Sequence, residues 1–213
     1  MTLKSVNSLE VGIVNYGIGN IGSLVAALKR VGFYPQVIEN KRDFVKANKV
    51  IFPGVGAAKP AMGTISNILE GLELESDIFD SKEFLGICLG MQLLLDSSLE
   101  NGIINCLGII KGQVRPISEI GEVKVPRIGW HSLQKNIEKK NDFFSDEGLE
   151  AHDFYFAHSY YAQLEDLSDC SYFTSAHRIP AIIERNNIVG VQFHPEKSGI
   201  AGLKFLKKVL IKK

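Results

Sequence analysis

The sequence has no surplus of charge of either sign. Its 24 Lys and Arg residues are matched by 24 Asp and Glu, so the formal net charge is +0 at pH 7. A strong basic footprint for nucleic acid is therefore absent. No apolar run reaches the ~20 residues that a membrane-spanning helix needs. Met1-Thr2-Leu3-Lys4-Ser5 lacks the basic-then-apolar layout of a secretory signal. Cysteine is scarce: Cys88, Cys106 and Cys170 are an odd number with no Cys-x-x-Cys spacing. That argues against a disulfide framework or a zinc site and fits a reducing, cytoplasmic setting. Apart from one glycine pattern near the N-terminus, no motif calls for a metal or a cofactor. What remains is an ordinary globule, 45% hydrophobic and 23% charged over 213 residues. A single domain spanning 1–213 with a large buried core is expected.

The most informative stretch is Leu85-Gly86-Ile87-Cys88-Leu89-Gly90-Met91-Gln92. A cysteine flanked by glycines two residues away on each side, after an apolar run and before a helix-forming one, has the layout of a nucleophile elbow. The flanking glycines suit a turn that crowds neighbouring backbone too closely for a Cβ. A helix N-terminus beyond the thiol favours its anion and frees the amide of Leu89 for a developing oxyanion. An ordinary thiol, with a pKa of about 8.5, is only a few per cent thiolate at neutral pH, so a base is needed.

Of 5 histidines (His131, His152, His158, His177 and His194), only His194 lies in a pattern with an evident catalytic geometry. In Gly190-Val191-Gln192-Phe193-His194-Pro195-Glu196-Lys197-Ser198, extended backbone sends the His194 and Glu196 side chains to the same side. Glu196 then orients one imidazole nitrogen while the other faces Cys88, the nucleophile–base–orienter arrangement. A second oxyanion donor is expected in Lys49-Val50-Ile51-Phe52-Pro53-Gly54-Val55-Gly56, at the amide of Gly54 or Val55. His158 reads as a buried, hydrogen-bonded residue beside a substrate loop, His152 and His177 as surface residues, and His131 as an interface residue beside Trp130. Cys106 and Cys170 have no glycine flanks or nearby base and read as packing thiols.

The first half alternates strands and helices, with strands expected at Val11–Asn15, Gln36–Ile38, Lys49–Phe52 and Phe84–Cys88. Helices are expected at Asn20–Val31, Phe44–Ala47, Lys59–Gly71, Asp77–Ser81 and Leu89–Ser97. Near-continuous apolar strands in such an order mean a parallel sheet covered on both faces. The second half is strand-rich: Gln113–Pro116, Ile128–Gln134, Phe154–Ala162, Cys170–Ser175, Ile182–Arg185 and Ile188–Phe193, with Asn186-Asn187 as a hairpin signal and Gly202–Ile211 as a closing helix. Asn15, the Pro-Gly-Val-Gly segment and Cys88 emerge together at the C-terminal edge of the strands, where open α/β sheets bind ligands.

A competing pattern lies near the N-terminus. Gly17-Ile18-Gly19-Asn20-Ile21-Gly22 matches G-x-G-x-x-G, and Glu39 falls near the place of a ribose-binding acid, which would suit a dinucleotide-dependent oxidoreductase. Tyr16 and Asn20 at the turn, and the cysteine elbow elsewhere, weigh against it.

The assembled segments resemble the triad (class I) glutamine amidotransferases, and within them the glutaminase subunits of imidazole glycerol phosphate synthases. The resemblance runs through Asn15-Tyr16-Gly17, Gly19-Asn20, Pro53–Ala57, Leu85–Leu94, Val125–Trp130, Phe154–Tyr160 and Gly190–Ser198. It implies an α/β, flavodoxin-like fold with a mostly parallel central sheet, flanking helices and an additional antiparallel β segment. It also implies hydrolysis of L-glutamine through a thioester on Cys88, with His194 as base and acid and Glu196 as orienter. The amides of Gly54 or Val55 and of Leu89 would form the oxyanion hole, and Gly56, Gln92, His158, Ser159 and Tyr160 would hold glutamine. Ammonia would pass to a cyclase subunit of (β/α)8 barrel type in a heterodimer, with Asn15, Trp130 and Lys197 facing that partner. Gly22, His131 and Ala157 depart from the common pattern of this branch. They leave open a paralogous branch that supplies ammonia for amidino sugars of surface polysaccharides.

Overall fold

The computed structural model describes residues 9–17, 21–72, 80–139, 144, 148–174 and 177–211. Parallel strands β1 (Glu10–Val14), β2 (Tyr34–Ile38), β3 (Lys49–Phe52) and β4 (Glu83–Ile87) form one half of a nine-stranded sheet. The residues of β1, β3 and β4 are buried on two alternating sides, whereas the edge strand β2 fully buries only Ile38. Val50, Phe52 and Phe84 join one apolar cluster, whereas Ile51, Leu85 and Ile87 join the other. Period-2 burial on both faces is what helices covering a parallel sheet demand. Helices α1 (Gly22–Arg30), α2 (Lys41–Lys46) and α3 (Ala58–Ile68) make the crossovers. The Asn40 side chain caps α2 by accepting the Asp43 amide at 3.1 Å.

Beyond β4 the chain turns through the short helix α4 (Leu89–Gln92). The expected helix over Leu89–Ser97 stops early, because the amides of Leu94 and Leu95 close three-residue turns on Met91 and Gln92. The chain then enters a small four-stranded sheet of β5 (Ser97–Ser98), β6 (Ile104–Asn105), β7 (Gly112–Pro116) and β10 (Tyr160–Leu164). The large sheet is completed by β8 (Arg127–Lys135), β9 (Asp153–His158), β11 (Cys170–Thr174), β12 (Pro180–Arg185) and β13 (Ile188–Val191), in the order β2-β1-β3-β4-β13-β12-β11-β8-β9. The pairing β13–β4 is parallel, and those from β13 outward to β9 are antiparallel. The antiparallel segment thus extends the parallel sheet itself, with the smaller sheet beside it. Helix α5 (Gly199–Ile211) closes the described chain.

One other expectation changes. Phe154–Ala162 is two strands in two sheets, broken at Ser159, whose carbonyl accepts the Ile117 amide at 2.9 Å. The hairpin at Asn186-Asn187 forms as expected, with Arg185 opposite Ile188 and Asn186 at φ 53°. Most of Asp77–Ser81, and Ile18 to Asn20 of the N-terminal glycine pattern, lie outside the described residues. Among the described residues, no helix is long and apolar enough to cross a membrane.

Candidate active site

Cys88 sits between β4 and α4 at φ 46°, ψ −101°, a backbone conformation that is strained for a residue with a Cβ. Its own amide is tied to Val191 O at 2.6 Å, which fixes the elbow against β13. The flanking glycines are a steric necessity. A Cβ on Gly90 would lie 1.9 Å from the Phe52 carbonyl oxygen, and one on Gly86 would lie 2.7 Å from Gly90 backbone. The first amides of α4, Leu89's among them, have no acceptor within the helix.

His194 comes to this thiol by a different local route from the one expected. Strand β13 ends at Val191, and Pro195 opens a 3₁₀ turn over Pro195–Lys197 in place of extended chain. The pairing survives: His194 Nδ1 lies 2.8 Å from Glu196 Oε1, with the side chains 3% and 7% exposed. Burial pulls the imidazole pKa down. The Cys88 thiol and the Glu196 carboxylate together outweigh it, and the pKa rises to about 9. The His194 backbone is pinned as well. Its amide donates to Tyr155 O at 2.8 Å, its carbonyl accepts Ser198 Oγ at 2.7 Å, and the same Oγ accepts the Tyr155 amide at 3.0 Å. This knot also covers the outer edge of β9.

Gly54 packs directly on the pair: a Cβ there would lie 2.8 Å from His194 Cε1 and 3.0 Å from Cys88 Cβ. A cavity of about 260 Å³ opens beside the thiol, lined by Gly54, Gly56, Cys88, Leu89, Gln92, Glu100, Pro126, Ile128, Ala157, His158, Ser159 and Tyr160. The predicted glutamine-binding positions thus converge on one space, whereas Val55 is not among its lining residues. A second cavity of about 260 Å³ lies between β1, β2 and α2, and its lining holds no cysteine or histidine. Chemistry, not volume, distinguishes the two.

His158 is buried and neutral. Desolvation drives its pKa down to about 4, and Nδ1 lies 2.8 Å from Tyr160 O. Its Nε2 is buried without a partner. His152 and His177 are exposed, as expected. His131 is half-buried, its ring edge-on to Phe156 at 5.6 Å. Burial raises the thiols of Cys106 to about 11 and Cys170 to about 12, which leaves both unreactive.

Sequence reasoning missed Glu100 and Gln192. Glu100 Oε2 accepts the Ala58 amide at 2.6 Å at the start of α3 and lines the cavity. Gln192, fully buried, donates to Cys88 Sγ from 3.4 Å. Its place two residues before His194 was visible in the sequence, but the fold was needed to aim it.

Of the positions expected to face a partner, Trp130 is 54% exposed and stands edge-on to Tyr155 at 5.9 Å, with Lys197 Nζ 5.9 Å from the same ring. Ile128, at the cavity, is 61% exposed. Asn15 closes the turn after β1, its Oδ1 accepting the Gly17 amide at 3.0 Å. Among the described residues no His, Cys, Asp and Glu cluster could hold a metal ion.

The family model for glutamine amidotransferase class-I matches residues 12–213. The imidazole glycerol phosphate synthase subunit HisH of Oceanobacillus iheyensis is 41% identical over 199 residues, covering 93% of this chain and 96% of that protein. The imidazole glycerol phosphate synthase hisHF, chloroplastic, of Arabidopsis thaliana is 39% identical over 213 residues, covering 97% of this chain but 35% of that one. In fold, the chain is similar to PurLQS from Thermotoga maritima (TM-score 0.68, 20% identity, 94% of this chain and 97% of that chain).

Proposed function

The chain belongs to the class-I glutamine amidotransferase family, and from that premise we propose that it is the glutaminase subunit of an imidazole glycerol phosphate synthase. The observation that carries the chemistry is a thiol on a glycine-flanked elbow, facing a buried His194 that Glu196 holds at 2.8 Å. Cys88 sulfur, its proton passed to His194, attacks the γ-carboxamide carbon of L-glutamine. The oxyanion is received by the Leu89 amide and by that of Gly54 or Val55. A histidine raised to about 9 is protonated at neutral pH, ready to protonate the departing nitrogen. Ammonia leaves and a γ-glutamyl thioester remains on Cys88. Water then attacks with His194 as base, the sulfur departs, and glutamate is released.

Gly56, Gln92, His158, Ser159 and Tyr160 wall the substrate. Glu100 supplies the negative charge that the α-ammonium group of a free amino acid needs. The dinucleotide reading of the N-terminal glycines is set aside: family membership covers nearly the whole chain, and the described chemistry gathers at Cys88.

Ammonia released to neutral water is protonated and no longer a nucleophile, so we place a cyclase of (β/α)8 barrel type over the exposed Trp130 and Lys197 and the half-buried Asn15, in a cytoplasmic heterodimer. Two observations support a partner on this face. Exposed Ile128 continues the patch to the cavity, and the Arabidopsis hisHF relative carries further chain beside the matched 35%. Control is assigned to Pro53–Gly56, where rotation of one peptide gives or withdraws an oxyanion donor worth roughly 2.7–4 kcal/mol. Glutamate release by the chain alone and with the barrel plus its ribotide substrate tests this. Strong activation by the liganded barrel is expected; equal rates would overturn the coupled reading.

A further inference from the structure

We propose that the Gln192 side-chain amide is a catalytic donor to the Cys88 sulfur, locked in that orientation by the Tyr160 carbonyl acting through Gln92. The inference rests on the glutaminase reading for its purpose, but its geometry stands on its own. Gln192 Nε2 lies 3.4 Å from Cys88 Sγ, within reach of a sulfur hydrogen bond. Its Oε1 lies 3.1 Å from Gln92 Nε2, and that nitrogen also lies 3.0 Å from Tyr160 O. Gln192 is fully buried and Gln92 nearly so, which leaves the pair little access to water.

The direction of every bond in this chain is forced. A backbone carbonyl only accepts, so the atom of Gln92 nearest Tyr160 O is the nitrogen. The two N–H groups of that nitrogen are then spent on Tyr160 O and on Gln192. Gln192 must answer with its oxygen, because reversing it would set two NH2 groups against each other. Reversing both amides would press the Gln92 oxygen onto the Tyr160 carbonyl. One arrangement satisfies all the atoms, and it points an N–H at the sulfur.

His158 strengthens the anchor. Its Nδ1 lies 2.8 Å from the same carbonyl, so the proton sits on that nitrogen and Tyr160 O receives a second donor. A donor that cannot turn round favours the anionic sulfur, because a charge-assisted bond to the anion is stronger than one to a neutral thiol. The neutral S–H has the His194 imidazole and the Ala157 carbonyl, at 3.9 Å, as acceptors, whereas the Gln192 N–H serves the anion once that proton has passed to His194. The titratable groups facing Cys88 are His194, backed by Glu196, from the turn after β13, with His158, Tyr160 and Glu100 lining the cavity. None of these is altered by changing Gln192.

The test is the pH dependence of Cys88 alkylation by iodoacetamide, read on the Cys88 peptide by mass spectrometry. Gln192→Met keeps the volume and removes the donor. The expected result is a reactivity midpoint about one pH unit higher, with about tenfold slower alkylation at neutral pH. Gln92→Met frees the Gln192 amide to reverse and moves the midpoint the same way by less; it decides the matter alone should Gln192→Met fail to fold. A donor-free role, in which Gln192 only fills space, leaves both profiles on that of the parent chain, and that result overturns the proposal. Alkylation needs no glutamine, so a failure of the glutaminase reading appears separately, as no glutamate release by the parent chain with its liganded barrel while these profiles still shift.

Discussion

The two walls of the cavity are built on different principles. On one side, Cys88 stands on an elbow whose parts are consecutive in sequence, with Gly86 and Gly90 making room for Phe52 and for the turn itself. On the other, His158, Ser159 and Tyr160 straddle the break between β9 and β10, two strands in different sheets. The elbow is rigid because it is sterically crowded. The far wall is held by directed hydrogen bonds, from His158 Nδ1 and Gln92 Nε2 to the Tyr160 carbonyl. Gln192 and the His194 turn join the two sides. The lesson is that a nucleophile needs local strain to expose it and a distant hydrogen-bond frame to tune it.

Breaking the turn that joins the two sides carries the largest effect. Glu196→Gln keeps the shape of the orienting group but exchanges an acceptor for an amide that also presents a donor, which disturbs the tautomer and the charge on His194. Glutamine hydrolysis is expected to fall about 10²- to 10⁴-fold, with little change in stability. Measured kcat values check it, and a loss under threefold contradicts the orienting role.

On the far wall the corresponding effect is on stability. The His158 pKa is depressed to about 4 in the folded chain, against about 6.5 unfolded, so the unfolded state takes up the proton first. The folded state therefore keeps its full stability above pH 6.5 and loses it as pH falls from 6.5 toward 4, by about 3 kcal/mol in all. His158→Gln removes that titration, so denaturant midpoints measured across this window should flatten. A slope unchanged from that of the parent chain counts against a neutral, buried His158.

How much of this was legible in the sequence follows the same division. Lys49–Phe52 was placed to the residue, and the glycine-flanked elbow and the His194–Glu196 pairing were found, because each signal lies within a few neighbouring positions. The extended backbone assumed between His194 and Glu196 was wrong, since Pro195 starts a 3₁₀ turn, yet short range sufficed to bring the side chains together. The split of Phe154–Ala162 was not legible: an unbroken β-forming run carries no mark of which sheet each half joins. Alternation along β8 turns His131 to the face opposite Trp130, a separation that their adjacency in sequence hides. Gln192 and Glu100 escaped notice because their roles depend on partners 104 and 42 residues away in sequence.

The central claim is that Cys88 carries the γ-glutamyl group. Intact-mass measurement of the chain, together with its barrel partner, acid-quenched during turnover of glutamine, tests it directly. The account predicts an adduct of one glutamyl group that maps to the Cys88 peptide, is released by hydroxylamine and is absent from Cys88→Ala, which hydrolyses no glutamine. Glutamate production by Cys88→Ala at the parent rate, with no adduct on either chain, would contradict it.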